Sequence, residues 1–213
     1  MNRKTRAGFE LTVGVLLVFG VIVAGIYFSA RPGPTVVDGW VFAAIPAGHH
    51  SGLLLAVTRL GSPFVVVAAA VVGMLVTLGR NRARALALLV GPVLAVTVCE
   101  WAVKPVVGRT FADVVSFPSG TVTAIASLAA VGLLATPDPW RLVMAAFGGT
   151  VTVLAVVSVV ALRWHFPTDA VAGAALGVGV VLLTDCAARA LAGRVLAGRA
   201  GSGRPDAERA VTH

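Results

Sequence analysis

The sequence predicts an all-α fold: a polytopic membrane helical bundle of six transmembrane helices, with an interfacial helix between the first and the second. Three observations point there. First, 58% of the 213 residues are hydrophobic and only 12% are charged, about half the charge of an ordinary soluble domain. Mean hydropathy is +0.94. Second, the apolar residues come in runs approaching the ~20 residues that cross a bilayer. Third, the basic residues collect at the ends of these runs, as helix orientation in membranes requires.

The net charge of +8 raises nucleic acid as a partner. That class is rejected, because the basic residues flank apolar segments and leave no soluble basic face. Anionic membrane lipids are the expected partners. Arginine outnumbers lysine, and Ala, Val and Gly abound, as in a GC-rich bacterial genome. Cys99 and Cys186 lie inside apolar runs and form no Cys-x-x-Cys pair. They read as small buried hydrophobes, not as a disulfide or a metal site. The sequence leaves homo-oligomers open.

In chain order, residues 1–10 form a basic tail with Arg3, Lys4 and Arg6. The membrane domain covers 11–187, and a second basic tail, its end disordered, covers 188–213. The run from Leu11 to Ser29 is longer than a signal-peptide core, and Ser29-Ala30-Arg31-Pro32 is a poor cleavage site, so a retained first span is predicted. Pro32, Gly33 and Pro34 break it. Trp40, Val41, Phe42 and Ile45 suggest the interfacial helix, and His49 and His50 read as interfacial polar residues. The remaining spans are Pro63 to Leu78, Ala85 to Val103, Ser119 to Ala135, Leu142 to Leu162 and Thr168 to Ala187. Gly173 and Gly177 give the last one the small-residue spacing that permits close helix approach.

With six spans, both tails, the Arg80-Arg82-Arg84 loop and the Arg141 turn share one side, expected to be cytoplasmic. A bacterial inner-membrane protein with both termini inside follows. The opposite face carries Arg31, Arg59, Lys104, Arg109 and Arg163. Basic residues placed against the orientation rule suit an anionic substrate.

Three stretches converge on that outer face. Lys104 and Arg109 supply positive charge. Ser119-Gly120-Thr121 opens the fourth span, where free backbone N–H groups and the positive end of the helix dipole favour phosphate. Arg163-Trp164-His165-Phe166-Pro167-Thr168-Asp169 supplies a nucleophile, His165, with Asp169 four residues on to orient the imidazole. Pro167 is expected to open the sixth helix with Thr168 and Asp169 in its first turn. The plainer alternative is an interfacial Trp-His loop with a capping Asp. Taken together, the parts suit phosphoryl transfer, in which positioning and charge stabilisation do most of the catalysis.

Lys…Arg, then Phe117-Pro118-Ser119-Gly120, then His165-x-x-x-Asp169 resembles the type 2 phosphatidic acid phosphatase family of six-helix membrane phosphatases. The resemblance runs from about Leu60 to Gly177 and includes Leu60-Gly61-Ser62. It implies a metal-independent, cofactor-free lipid phosphatase. His165 and Asp169 would be catalytic, with Lys104, Arg109, Ser119, Gly120, Thr121 and Arg163 on the substrate phosphate. The chain departs from the family pattern at three places. The main arginine of the first motif falls on Phe111, and Ala112 replaces the proline after it. Thr121 replaces the histidine that acts as acid in the second motif. Val159 replaces the arginine of the third, although Ser158 stands. Arg163, one turn on from Val159, is expected to compensate in part. Thr121 keeps a hydroxyl but is no acid near neutral pH, so a diphosphate substrate, or another acid such as His49, His50 or Asp113, is expected. The implied function is hydrolysis of an isoprenoid or glycerolipid phosphate or diphosphate through a phosphohistidine at the outer face. The alternative is a non-catalytic relative that binds lipid phosphates or scaffolds partners. Without inverted repeats or a charge relay, a transporter ranks below both.

Overall fold

A computed structural model describes residues 3–48 and 51–202. His49, His50 and the tail from residue 203 lie outside the described residues. The fold is an all-α polytopic bundle. Helix α1 spans Arg3–Ala30, α2 Val36–Ala44, α3 Gly52–Arg59, α4 Pro63–Leu78 and α5 Arg82–Val98. A π-helical turn, Cys99–Val103, joins α5 to the short α6, Lys104–Val107. A two-stranded hairpin follows, β1 Thr110–Phe111 and β2 Val114–Val115. The bundle closes with α7 Gly120–Ala135, α8 Arg141–Ala161 and α9 Pro167–Ser202.

Four helical stretches are long and apolar enough to cross a bilayer: Thr5–Ala30, Arg82–Val107, Asp138–Ala161 and Pro167–Ala197. The α3–α4 pair, bent by 49°, makes a fifth if it counts as one span. The predicted fourth span, α7, has only 16 residues, about 24 Å at 1.5 Å per residue. It starts at a fully buried Ser119 and packs against α4, α5, α8 and α9, so it is the central helix of the bundle. Length and composition thus support four or five spans among the described residues, against the six predicted.

One further expectation is corrected. The single interfacial helix is two, α2 and α3, each with its own cap. Thr35 and Asp38 form a capping box on α2, and the Ser51 side chain accepts from the Leu54 N–H of α3. Helix α9 runs past the expected end of the sixth span and continues to Ser202. Ala187 to Ala197 is rich in Ala, Leu and Arg, good helix formers. Arg189 adds tertiary support by pairing with Glu10 of α1 at 2.6 Å and with Asp185 at 2.9 Å. Asp185 also takes both Nε and Nη2 of Arg84, each at 3.0 Å, which ties α5 to α9.

The two glycines of α9 set its distance from α7. A Cβ on Gly177 would stand 2.3 Å from the Thr123 carbonyl oxygen, and one on Gly173 would stand 2.5 Å from that of Ser119. Backbone cannot swing away as a side chain can, so the helices must part. Gly177→Ala is expected to cost about 1–3 kcal/mol of overpacking. The measurement is thermal unfolding in detergent, and an unchanged midpoint contradicts the contact.

Candidate active site

Local sequence builds both sides of the site. Gly108 closes α6 in the left-handed conformation, φ 64°, which glycine adopts without steric cost. The chain then turns inward at Arg109 and out again through the hairpin. Ala112 and Asp113, φ 49° and 63°, form its two-residue turn, the twist-matched type for a tight hairpin. Asp113 sits exposed at the tip. The strand pair returns the chain to Ser116, whose N–H donates to the Arg109 carbonyl at 2.8 Å.

Arg109 is fully buried. Its Nε donates to the Pro32 carbonyl at 3.2 Å. Nη1 donates to Thr168 Oγ1 at 2.8 Å and to Asp169 Oδ1 at 2.5 Å. Nη2 donates to the Gly33 carbonyl at 2.9 Å and to Asp38 Oδ2 at 3.0 Å. A guanidinium has five N–H donors, and all five are used. The Phe28 and Phe166 rings stack on it, 3.8 and 4.2 Å from the guanidinium carbon. The expected phosphate contact would need this set to open.

Asp169 does not meet His165. Its Oδ1 is on Arg109, and its Oδ2 accepts the Phe166 N–H at 3.3 Å. The reason is where the helix starts. With Pro167 as the first helical residue of α9, Asp169 is the third and reaches back to Phe166, as acidic residues there do. His165 lies before the helix, so the same-face relation of positions four apart does not hold for this pair. Asp38 completes the arrangement, accepting the Thr168 N–H at 2.9 Å. Burial works against the Asp38 carboxylate, but the N–H groups of Thr35 and Thr168 outweigh it and hold its pKa below the ordinary value.

His165 is held instead by the Ser116 carbonyl, 2.9 Å from Nδ1. A carbonyl only accepts, so Nδ1 carries the proton and the Nε2 lone pair is free. Burial, then the nearby Lys104 ammonium, push the imidazole from 6.5 down to about 4, against the opposing effect of the Ser116 hydrogen bond. His165 is therefore neutral at physiological pH.

The start of α7 completes the pocket. Ser119 is its N-cap residue, yet its side chain makes no capping bond, and its buried Oγ has no partner among the described residues. Beside it, Lys104 Nζ lies 3.6 Å from where a Cβ on Gly120 would stand. Lys104 donates to both carboxylate oxygens of Glu100, each at 2.8 Å.

Of the predicted site residues, Lys104 lies beside Gly120 at the start of α7, next to Ser119, and is close enough to His165 to act on its charge. Arg109 and Asp169 lie apart in the buried ion cluster. The Thr121 side chain leans on Gly61, where an added Cβ would be 3.1 Å from Thr121 Cγ2. Arg163, φ 56°, turns towards α2 and donates through Nη2 to the Phe42 and Ile45 carbonyls at 3.1 and 3.0 Å. Its buried Nη1 has no partner among the described residues. Sequence reasoning passed over Asp38 and Glu100. The Thr35-x-x-Asp38 capping box and the Glu100-x-x-x-Lys104 spacing were their visible signals.

The family comparison agrees with this geometry. Residues 98–190 match the PAP2 superfamily. That stretch holds the π-turn, the hairpin, α7, α8, the His165 loop and most of α9. No curated protein and no solved structure matches the chain. Residues 98–190 are thus similar to the PAP2 superfamily, with the motif gaps at Phe111, Thr121 and Val159 falling inside that stretch.

Proposed function

We propose that the protein is a membrane lipid phosphatase acting on an isoprenoid or glycerolipid phosphate or diphosphate. The superfamily supports a phosphatase. The observation that carries the reading is the free Nε2 of a neutral His165 beside Lys104 and the uncapped start of α7. Nε2 attacks phosphorus and the P–O bond to the leaving group breaks. The α7 N–H groups and Lys104 stabilise the charge gathering on the phosphoryl oxygens. Water then cleaves the phosphohistidine. Asp169 acts on this step at a distance, by capping Phe166 and so anchoring the His165 loop.

The test is phosphate release from prenyl and glycerolipid phosphates and diphosphates by purified protein in detergent. Radiolabelled phosphate should be trapped on wild-type protein in an acid-labile form. Absence of both release and label would reject the reading. The Glu100 grip on Lys104, with the losses at Phe111, Thr121 and Val159, supports a second reading, a non-catalytic lipid-phosphate binder.

Two expectations accompany the proposal. The acid limb of kcat/KM, which reports the free enzyme, should fall near pH 4 rather than 6.5. Below that limb the protonated imidazole has no lone pair for attack. A limb at 6.5 would mean that His165 is not held neutral. With the short apolar α7 counted as a sixth span beside the bent α3–α4 pair, the site faces outward with both termini cytoplasmic, so a reporter fused after His213 should behave as cytoplasmic. A periplasm-active reporter there reverses the orientation.

A further inference from the structure

Glu100 has no role in the mechanism above, yet its carboxylate rests against Gly120 at the start of α7 and on Lys104. Oε1 lies 2.1 Å from where a Cβ on Gly120 would be, so position 120 is open only because it is glycine. Both carboxylate oxygens hold Lys104, the cation expected to meet the substrate. The Glu100 side chain is 39% exposed. The acid-bearing position of the family motif, 121, carries a threonine packed on Gly61. Asp169 is locked on Arg109.

We propose that Glu100 is the proton donor to the leaving oxygen, one turn before Lys104 on the π-helical segment rather than on α7. The inference rests on the phosphatase reading of this site. A phosphate that enters here shares Lys104 with the carboxylate. Two anions in one site favour a shared proton, which Glu100 takes from solvent. As His165 Nε2 bonds to phosphorus, the P–O bond breaks and the Glu100 proton passes to the leaving oxygen. The products are the alcohol, the Glu100 carboxylate and a phosphohistidine that still carries its Nδ1 proton. In the second half, the carboxylate takes a proton from water as the water oxygen bonds to phosphorus. The P–N bond breaks, and inorganic phosphate, neutral His165 and protonated Glu100 result.

The test is Glu100→Gln, which keeps an oxygen for Lys104 and loses the acid. Turnover is measured on a long-chain alkyl monophosphate and on p-nitrophenyl phosphate, with wild type and His165→Ala alongside. Inorganic-phosphate binding is followed by calorimetry in two buffers of different ionisation heat. The variant should lose about a hundred-fold or more on the alkyl ester and only a few-fold on the aryl ester, whose leaving group needs no proton. Wild type should take up more protons than the variant when phosphate binds. Equal losses on both esters with equal proton uptake would mean that Glu100 only positions Lys104, and the proposal falls. Gains on both would mean that Glu100 is a resident anion competing with substrate, which also overturns it. Either outcome leaves the phosphatase reading standing. A wild type no more active than His165→Ala on either ester overturns that reading and this role with it.

Discussion

His165→Ala should abolish phosphate release from every substrate, a loss of about a million-fold where the nucleophile itself is removed. In the proposed mechanism no leaving group escapes this effect, because phosphorus–nitrogen bond formation precedes all later steps. The side chain makes one hydrogen bond, to the Ser116 carbonyl, so the fold should survive. The variant should unfold within a few degrees of wild type and should form no acid-labile phosphoprotein. Residual turnover within a hundred-fold of wild type would require another nucleophile.

Arg109→Leu should act in the opposite way, through stability. It leaves Asp38 and Asp169 fully buried without their cation. Removing one member of a buried ion cluster costs about 3–5 kcal/mol, since the remaining charges lose the partner that offset their desolvation. The expected result is a much lower unfolding midpoint and poor yield. Arg109→Leu combined with Asp38→Asn should cost less than the sum of the two single changes, because the groups share one network. An arginine that gripped substrate phosphate would instead raise KM with the midpoint unchanged. Arg109→Lys should fail for a geometric reason. One ammonium has three donors, and the five contacts of Arg109 reach Pro32, Gly33, Asp38, Thr168 and Asp169 from a planar fork.

These two residues separate what a linear reading captures from what it misses. His165, Lys104 and Ser119-Gly120 stand out in the sequence as candidates because each belongs to a short motif with its own local logic. Arg109 reads as a phosphate-binding arginine, and neither its burial nor its ion partners can be read from the sequence. Its partner Asp38 is 71 residues away, and no periodicity links the two. The assignment of Asp169 to His165 failed for a related reason. The spacing of four brings side chains together only inside one unbroken helix, and the chain changes direction at Phe166-Pro167.

Local chemistry in the chain was enough for the class of the protein, the apolar helices, and helix starts such as Pro63 and Pro167. Hydropathy, proline and capping residues act within a turn or two, so neighbouring residues carry the information. The chain also held the family motifs and their gaps. Only the packed structure decided that α7 is the short central helix and that α2 and α3 are separate. Only packing joined Arg109 to Asp38 and Asp169, sent Arg163 to α2, and put Glu100 against Gly120. Those outcomes depend on which distant segments share the interior. A buried charge must find its partner wherever the fold brings one, at a cost of several kcal/mol if it does not.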